Sequence, residues 1–205
     1  MNFSFCERQR GFAAILFCLA AGSANAAVVC SPPANIAVPE DSEGYYINLV
    51  TGVVAPSEGQ TPGFDVEIYA AVNTNPSGQL RFYWGSMTSG NFGLVSAADT
   101  YAVLGPNQII DGNALYSRVA FLSDTSAWQA GTAGYLGVKF KNESNMLTNY
   151  GWMLLTTTAP MGFPISVRGW CYEDTGAGIM TPAVAAEYLF ADGFEDANIF
   201  LNRSR

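Results

Sequence analysis

Gly134-Tyr135-Leu136-Gly137-Val138-Lys139-Phe140-Lys141, followed after a polar connection by Tyr150-Gly151-Trp152-Met153-Leu154-Leu155, decides the fold. In the first segment Leu136, Val138 and Phe140 alternate with Tyr135, Lys139 and Lys141. That period of two is what a half-buried β-strand requires. The second segment is apolar on both alternating sets, which suits a central strand covered on both faces.

Outward from this pair the same period recurs. Phe64, Val66, Ile68 and Ala70 oppose Asp65, Glu67 and Tyr69, and Leu80, Phe82 and Trp84 oppose Arg81 and Tyr83. Leu115, Val119 and Phe121 oppose Tyr116 and Arg118, while Ile165, Val167 and Cys171 oppose Arg168 and Trp170. Turn chemistry separates these runs at Asn75-Pro76-Ser77-Gly78, Ser89-Gly90-Asn91, Pro106-Asn107, Asp111-Gly112-Asn113 and Thr175-Gly176-Ala177-Gly178. Residues 51–63 read as a long loop, and residues 182–190, opened by Pro182, as one short helix. The expected fold class is all-β: an antiparallel β-sandwich or jelly roll with at most one short C-terminal helix.

Composition narrows what such a fold can do. Of 205 residues, 49% are hydrophobic and only 13% charged, which excludes a disordered chain and a coiled coil. The formal net charge of −8 argues against nucleic acid as a partner. There is no histidine, which removes the commonest general base and the commonest zinc ligand. No metal site and no cofactor is expected.

The first residues read as an address. Arg8 and Arg10 precede the apolar run from Phe12 to Ala21, and Ala24-Asn25-Ala26 has the small-x-small form of a secretory cleavage site. The run is too short to span a bilayer. The expected organisation is a signal peptide over 1–26, a β-sandwich over 27–190 and a loosely docked tail over 191–205. Export would be to the periplasm, the cell surface or the extracellular space, with no membrane span in the mature chain. Cleavage before Ala27 leaves 179 residues with a net charge of −9. Cys6 and Cys18 depart with the leader, so Cys30 and Cys171 form the expected disulfide in an oxidising compartment. Its sulfur at Cys171 should point inward with Ile165 and Val167.

The run 134–140, then Tyr150-Gly151-Trp152, then Val167-Arg168-Gly169-Trp170-Cys171-Tyr172-Glu173, and finally Asp192-Gly193-Phe194-Glu195 near the end, resembles a set of uncharacterised secreted all-β proteins of Gram-negative bacteria. Those proteins share a G-Y-L-G-x-x-F strand, a Y-G-W strand and a D-G-F-E segment. The resemblance covers roughly the last third of the chain. It implies export and an all-β fold, and carries no activity and no catalytic residue.

Candidate chemistry is sparse. Glu40-Asp41-Ser42-Glu43, Glu173-Asp174 and Asp192 to Asp196 are carboxylate-rich, yet none has the spacing of a calcium loop. No G-x-S-x-G is present. A distinctive pattern remains. Arg81, Arg118, Lys139, Lys141 and Arg168, five of the seven mature basic residues, fall on polar strand positions beside Tyr83, Tyr116, Tyr135, Trp170 and Tyr172. If those strands share one sheet, rings for stacking and cations for orientation make a binding face for a glycan or acidic polymer. The expected function is therefore a non-catalytic exported binding or structural module. The alternative is a carbohydrate-active hydrolase using paired carboxylates such as Glu67 and Glu173.

Overall fold

The computed structural model of the protein describes residues 27–119 and 124–183. The expected signal segment, the tail, Phe121 and all but the start of the expected 182–190 helix lie outside them. Thirteen short strands carry the described chain: β1 (Val28–Cys30), β2 (Ile36–Val38), β3 (Tyr45–Ile47), β4 (Val54–Ala55), β5 (Val66–Ala71), β6 (Gln79–Tyr83), β7 (Phe92–Leu94), β8 (Ile109–Ile110), β9 (Tyr116–Ser117), β10 (Ala133–Lys141), β11 (Thr148–Thr156), β12 (Ile165–Glu173) and β13 (Ile179–Met180). All pairings are antiparallel. The fold is an all-β sandwich, as the alternation predicts. The four-residue helix α1 (Ser126–Gln129) was not expected, and residues 51–63 hold β4 and a 3₁₀ turn rather than loop alone.

The large sheet runs β1-β12-β11-β10-β7-β9, with β2 also on the edge of β12. A four-stranded sheet, β4-β3-β5-β6, lies across it. Val66, Ile68, Leu80, Phe82 and Trp84 from the small sheet meet Leu136, Val138, Phe140, Met153 and Leu155 from the large one in the main core. Phe64 leaves its expected face, because it precedes β5 and packs on Tyr46 and Tyr83 instead.

The opposite face of the large sheet is covered too. Tyr135, Trp152, Leu154 and Cys171 pack with Leu94, Ile110 and Ile179, the last two from the separate β8–β13 pair. Two-sided burial of β11 explains why YGWMLL has no polar alternate.

A β-bulge in β12 redirects half of that strand. Leu155 pairs with Val167 but Leu154 pairs with Gly169, so β12 carries one extra residue at Arg168. Gly169 accommodates it at φ +145°. Side-chain parity then flips beyond the bulge. Trp170 and Tyr172 join Ile165 and Val167 in the main core, while Cys171 turns to the outer face beside Trp152. The expectations of an outward Trp170 and Tyr172 and an inward Cys171 are corrected for this reason. The Cys30–Cys171 disulfide nonetheless forms, because β1 aligns the two residues directly across the ladder.

A second reversal concerns β9. Leu115 and Val119 are exposed, while Tyr116 and Arg118 are half-buried. The strand is only two residues long, and Tyr116 stands beside Leu94 on the covered outer face.

Gly93 on β7 leaves no room for a side chain: a Cβ there would lie 2.4 Å from Trp84 Cζ2 and 2.7 Å from Tyr101 Cε1. Gly93→Ala is expected to lower stability by about 1–3 kcal/mol, seen as an earlier urea midpoint with an unchanged slope. Replacing both Cys30 and Cys171 by Ser is expected to cost roughly 2–5 kcal/mol in the same measurement, because the bridge closes a loop of 141 residues.

Candidate functional site

The ten residues expected to form one binding strip are not brought together. Arg81 and Tyr83 lie on β6 of the small sheet, whereas Lys139, Lys141 and Arg168 lie on the large one. Tyr135, Trp170 and Tyr172 are buried, at 0%, 5% and 5% exposure, and offer no stacking surface. Tyr135 is covered because the second core occupies its face. Trp170 is inside because of the bulge, with its Nε1 donating to the Leu49 carbonyl at 3.0 Å. Tyr172 packs edge-on against Phe140.

Four of the five cations fasten loops. Arg81 donates to Gln79 Oε1 at 2.8 Å, to the Leu80 carbonyl and to Thr125 Oγ1, tying β6 to the start of α1. Arg118 donates to Ser89 Oγ at 3.0 Å and to the carbonyls of Trp84 and Gly85, closing the loop between β6 and β7. Lys141 Nζ donates to the Met146 carbonyl within the β10–β11 turn. Arg168 donates to Asn35 Oδ1 at 2.7 Å and holds the segment between β1 and β2. Arg81 and Arg118 each make three such donations, a task that the planar guanidinium fork suits.

Lys139 differs. Its ammonium lies 4.3 Å from the Phe92 ring centre and 4.7 Å from that of Tyr116, with no carboxylate contact among the described residues. The placement follows from register: Phe92, Lys139 and Tyr150 sit opposite one another on β7, β10 and β11. Tyr116 lies 6.1 Å from Tyr150, centre to centre, and the Arg118 guanidinium is 5.9 Å from Phe92. Tyr116 Oη donates to the Asp111 carbonyl at 2.8 Å, and burial raises its phenol pKa. The cluster is half-buried and forms the open end of the second core. Its rings can hold an apolar ligand face while its cations orient an anionic substituent.

Phe92 and Tyr150 were missed by sequence reading. A signal existed for Tyr150: once a hairpin joins β10 to β11, it falls opposite Lys139. Phe92 had none, because nothing local says that β7 pairs with β10.

The carboxylates have other duties. Glu67 alternates with Val66 and Ile68 and so faces away from the main core on the small sheet. Glu173 alternates with Tyr172 and faces away from the same core on the large sheet. The pair named for the hydrolase alternative is therefore not brought together: the two carboxylates occupy opposite outer faces. Glu173 also accepts from the Thr175 amide, Thr175 Oγ1 and the Ala177 amide, shaping the turn after β12. Asp41, Asp111 and Asp124 likewise accept from amides two residues on. A recess of about 310 Å3 between the β1–β2 segment and the 49–54 loop is lined by Pro32, Pro33, Leu49, Val54 and Trp170, with no carboxylate.

Two buried carboxylates have raised pKa values. Burial pushes Asp65 well above the usual range, although the Leu49 amide donates to it at 2.8 Å. Burial pushes Glu67 up to about 7, with Glu43 and Glu58 adding to the rise and the Tyr46 hydroxyl opposing it. Both shifts mean that the folded state favours the protonated acid. The stability contributed by Glu67 is complete below its ordinary value of 4.5 and is lost as pH rises through about 7. The urea midpoint is therefore expected to fall between about pH 5 and pH 8. Glu67→Gln should raise the midpoint at the alkaline end more than at the acid end, leaving a flatter profile.

No protein-family model, no curated protein and no solved structure matches this chain.

Proposed function

We propose that the protein is an exported, non-catalytic β-sandwich that binds an acidic glycan on the outer face of its large sheet. The observation that carries this reading is the Lys139 ammonium set among Phe92, Tyr116 and Tyr150, free of any carboxylate contact among the described residues. A pyranose ring stacks its apolar face on an aromatic side chain, and a uronate or sulfate on that ring meets the ammonium. The molecule is acidic overall, so this local cation orients the ligand rather than attracting it from a distance.

Export is supported by the leader-like first 26 residues and by the Cys30–Cys171 bridge, which belongs to an oxidising compartment. Among the described residues no helix is long and apolar enough to cross a membrane. The hydrolase reading loses its proposed pair, because Glu67 and Glu173 stand on opposite faces.

Calorimetric titration with a soluble polyuronate such as polygalacturonate tests the proposal. Wild-type protein is expected to bind at low salt and to weaken as salt rises. Lys139→Gln should weaken binding about 5- to 10-fold and flatten the salt dependence. Phe92→Leu should weaken it about 3-fold or more with the salt dependence retained. Equal binding by wild type and Lys139→Gln, or no binding by wild type, overturns the assignment.

A further inference from the structure

The edge of the large sheet at β1 combines an open ladder with an apolar recess. β1 ends the strand order of that sheet, so its outer side carries no partner strand among the described residues. The Asp174 amide donates to the Ala27 carbonyl, and the Ser31 amide to that of Trp170. Residues 27, 29 and 31 therefore bond toward β12. By antiparallel alternation the N–H and C=O groups of Val28 and Cys30 point away from the sheet. Natural edges are commonly blunted by charge, yet Val28, Val29 and Cys30 carry none and all three are exposed. Pro32 and Pro33, which have no N–H to offer, limit the edge to this short stretch. Val29 and Cys30 also line the recess of about 310 Å3 that the 49–54 loop closes on its other side, with Trp170 in its lining. No charged side chain belongs to that lining.

We propose that β1 receives an extended segment of another protein, which adds to the sheet as a strand and inserts one bulky apolar side chain into this recess. The register follows from the edge. A strand bonded to the outward groups of Val28 and Cys30 sets its intervening residue opposite Val29, in the narrow type of pair where side chains lie closest. Cys30 turns its sulfur to Cys171 in the second core, so Val29 faces the other way, toward Trp170 and the recess. The incoming side chain shares that direction. Main-chain bonds then supply affinity and the recess supplies selectivity, as in other strand additions. A volume of about 310 Å3 is at the lower end for small-molecule sites, roughly 300–1,000 Å3, and suits a side chain better than a larger ligand. Its uncharged lining accepts Phe or Leu and penalises a charge. A second copy fits less well. Two β1 strands paired about Val29 would oppose Val29 to Val29, each already part of a recess wall, and both recesses would stay unfilled. This inference is independent of the glycan reading, since it uses the other edge of the large sheet and no charged group.

The test is an NMR titration of the purified, disulfide-intact protein with the capped peptide Lys-Thr-Thr-Phe-Thr-Thr-Lys. The Val28 and Cys30 amides are expected to shift saturably and to exchange with solvent more slowly. The same peptide with Ser in place of Phe should bind about tenfold more weakly. N-methylation of the two Thr amides flanking Phe should weaken binding at least about fivefold. Val28→Pro removes one outward donor and no bond to β12, so it should weaken binding about fivefold with the urea midpoint little changed. Equal binding of the Phe and Ser peptides overturns the proposal, and so does undiminished binding of the methylated one. So does a titration that leaves Val28 and Cys30 unshifted. Protection of those amides that grows with protein concentration in the absence of peptide overturns it too, by assigning the edge to a second copy. The peptide variants decide the matter should Val28→Pro fail to fold.

Discussion

A single inserted residue in β12 organises the large sheet. Without the bulge at Arg168 and Gly169, strict alternation would carry Trp170 and Tyr172 to the outer face and Cys171 to the inner one. With it, two large rings enter the main core and the sulfur reaches the second. The bulge also divides the edge of β12 between β1 and β2. The connecting chain follows it closely, with Ser31 and Ala34 amides donating to the Trp170 and Arg168 carbonyls and Ser31 Oγ accepting from the Trp170 amide. The disulfide then fixes β1 where this irregular edge needs covering. Bulges are tolerated where neighbouring groups satisfy the exposed backbone, and here the N-terminal segment does so.

Sparse charge has a structural counterpart. Several buried polar groups find partners within the chain: Asn48 Nδ2 donates to the carbonyls of Pro62 and Gly63 and to Glu143 Oε1, while its Oδ1 accepts from the amides of Val50 and Thr51. Asn149 Nδ2 donates to the Glu173 carbonyl and Thr125 Oγ1 to that of Leu80. Each of these replaces a water that an exposed loop would use. The basic residues belong to the same scheme, since four of them spend their protons on carbonyls and side-chain oxygens of loops. Lys139 stands apart because two rings, rather than a loop, receive it.

The sandwich consequently presents two chemically opposite outer faces. One end of the large sheet offers aromatic rings beside the Lys139 ammonium, and the small sheet offers tyrosine rings beside the covered Glu67 carboxyl. The main core lies between the two faces, so each acts as a local environment despite the acidic total.

Alternation in FDVEIYA, in Gln79 to Trp84 and in the 134–141 run was enough to determine an antiparallel sandwich, because period-two burial is a local property of the strand. Two-sided burial of Tyr150 to Leu155 and the partnership of the last two cysteines were legible for the same kind of reason: few other arrangements satisfy an all-apolar strand or an even pair of thiols. The tertiary structure alone decided which aromatics are surface. Parity beyond Arg168 depends on a bulge that pairing with β11 and β2 imposes, and no run of residues announces it. The meeting of Phe92, Tyr116 and Lys139, like that of Tyr46, Glu67 and Tyr83, depends on strands distant in sequence choosing one another. That choice is made by the fit of side chains across two sheets, a non-local energy that sequence periodicity does not contain.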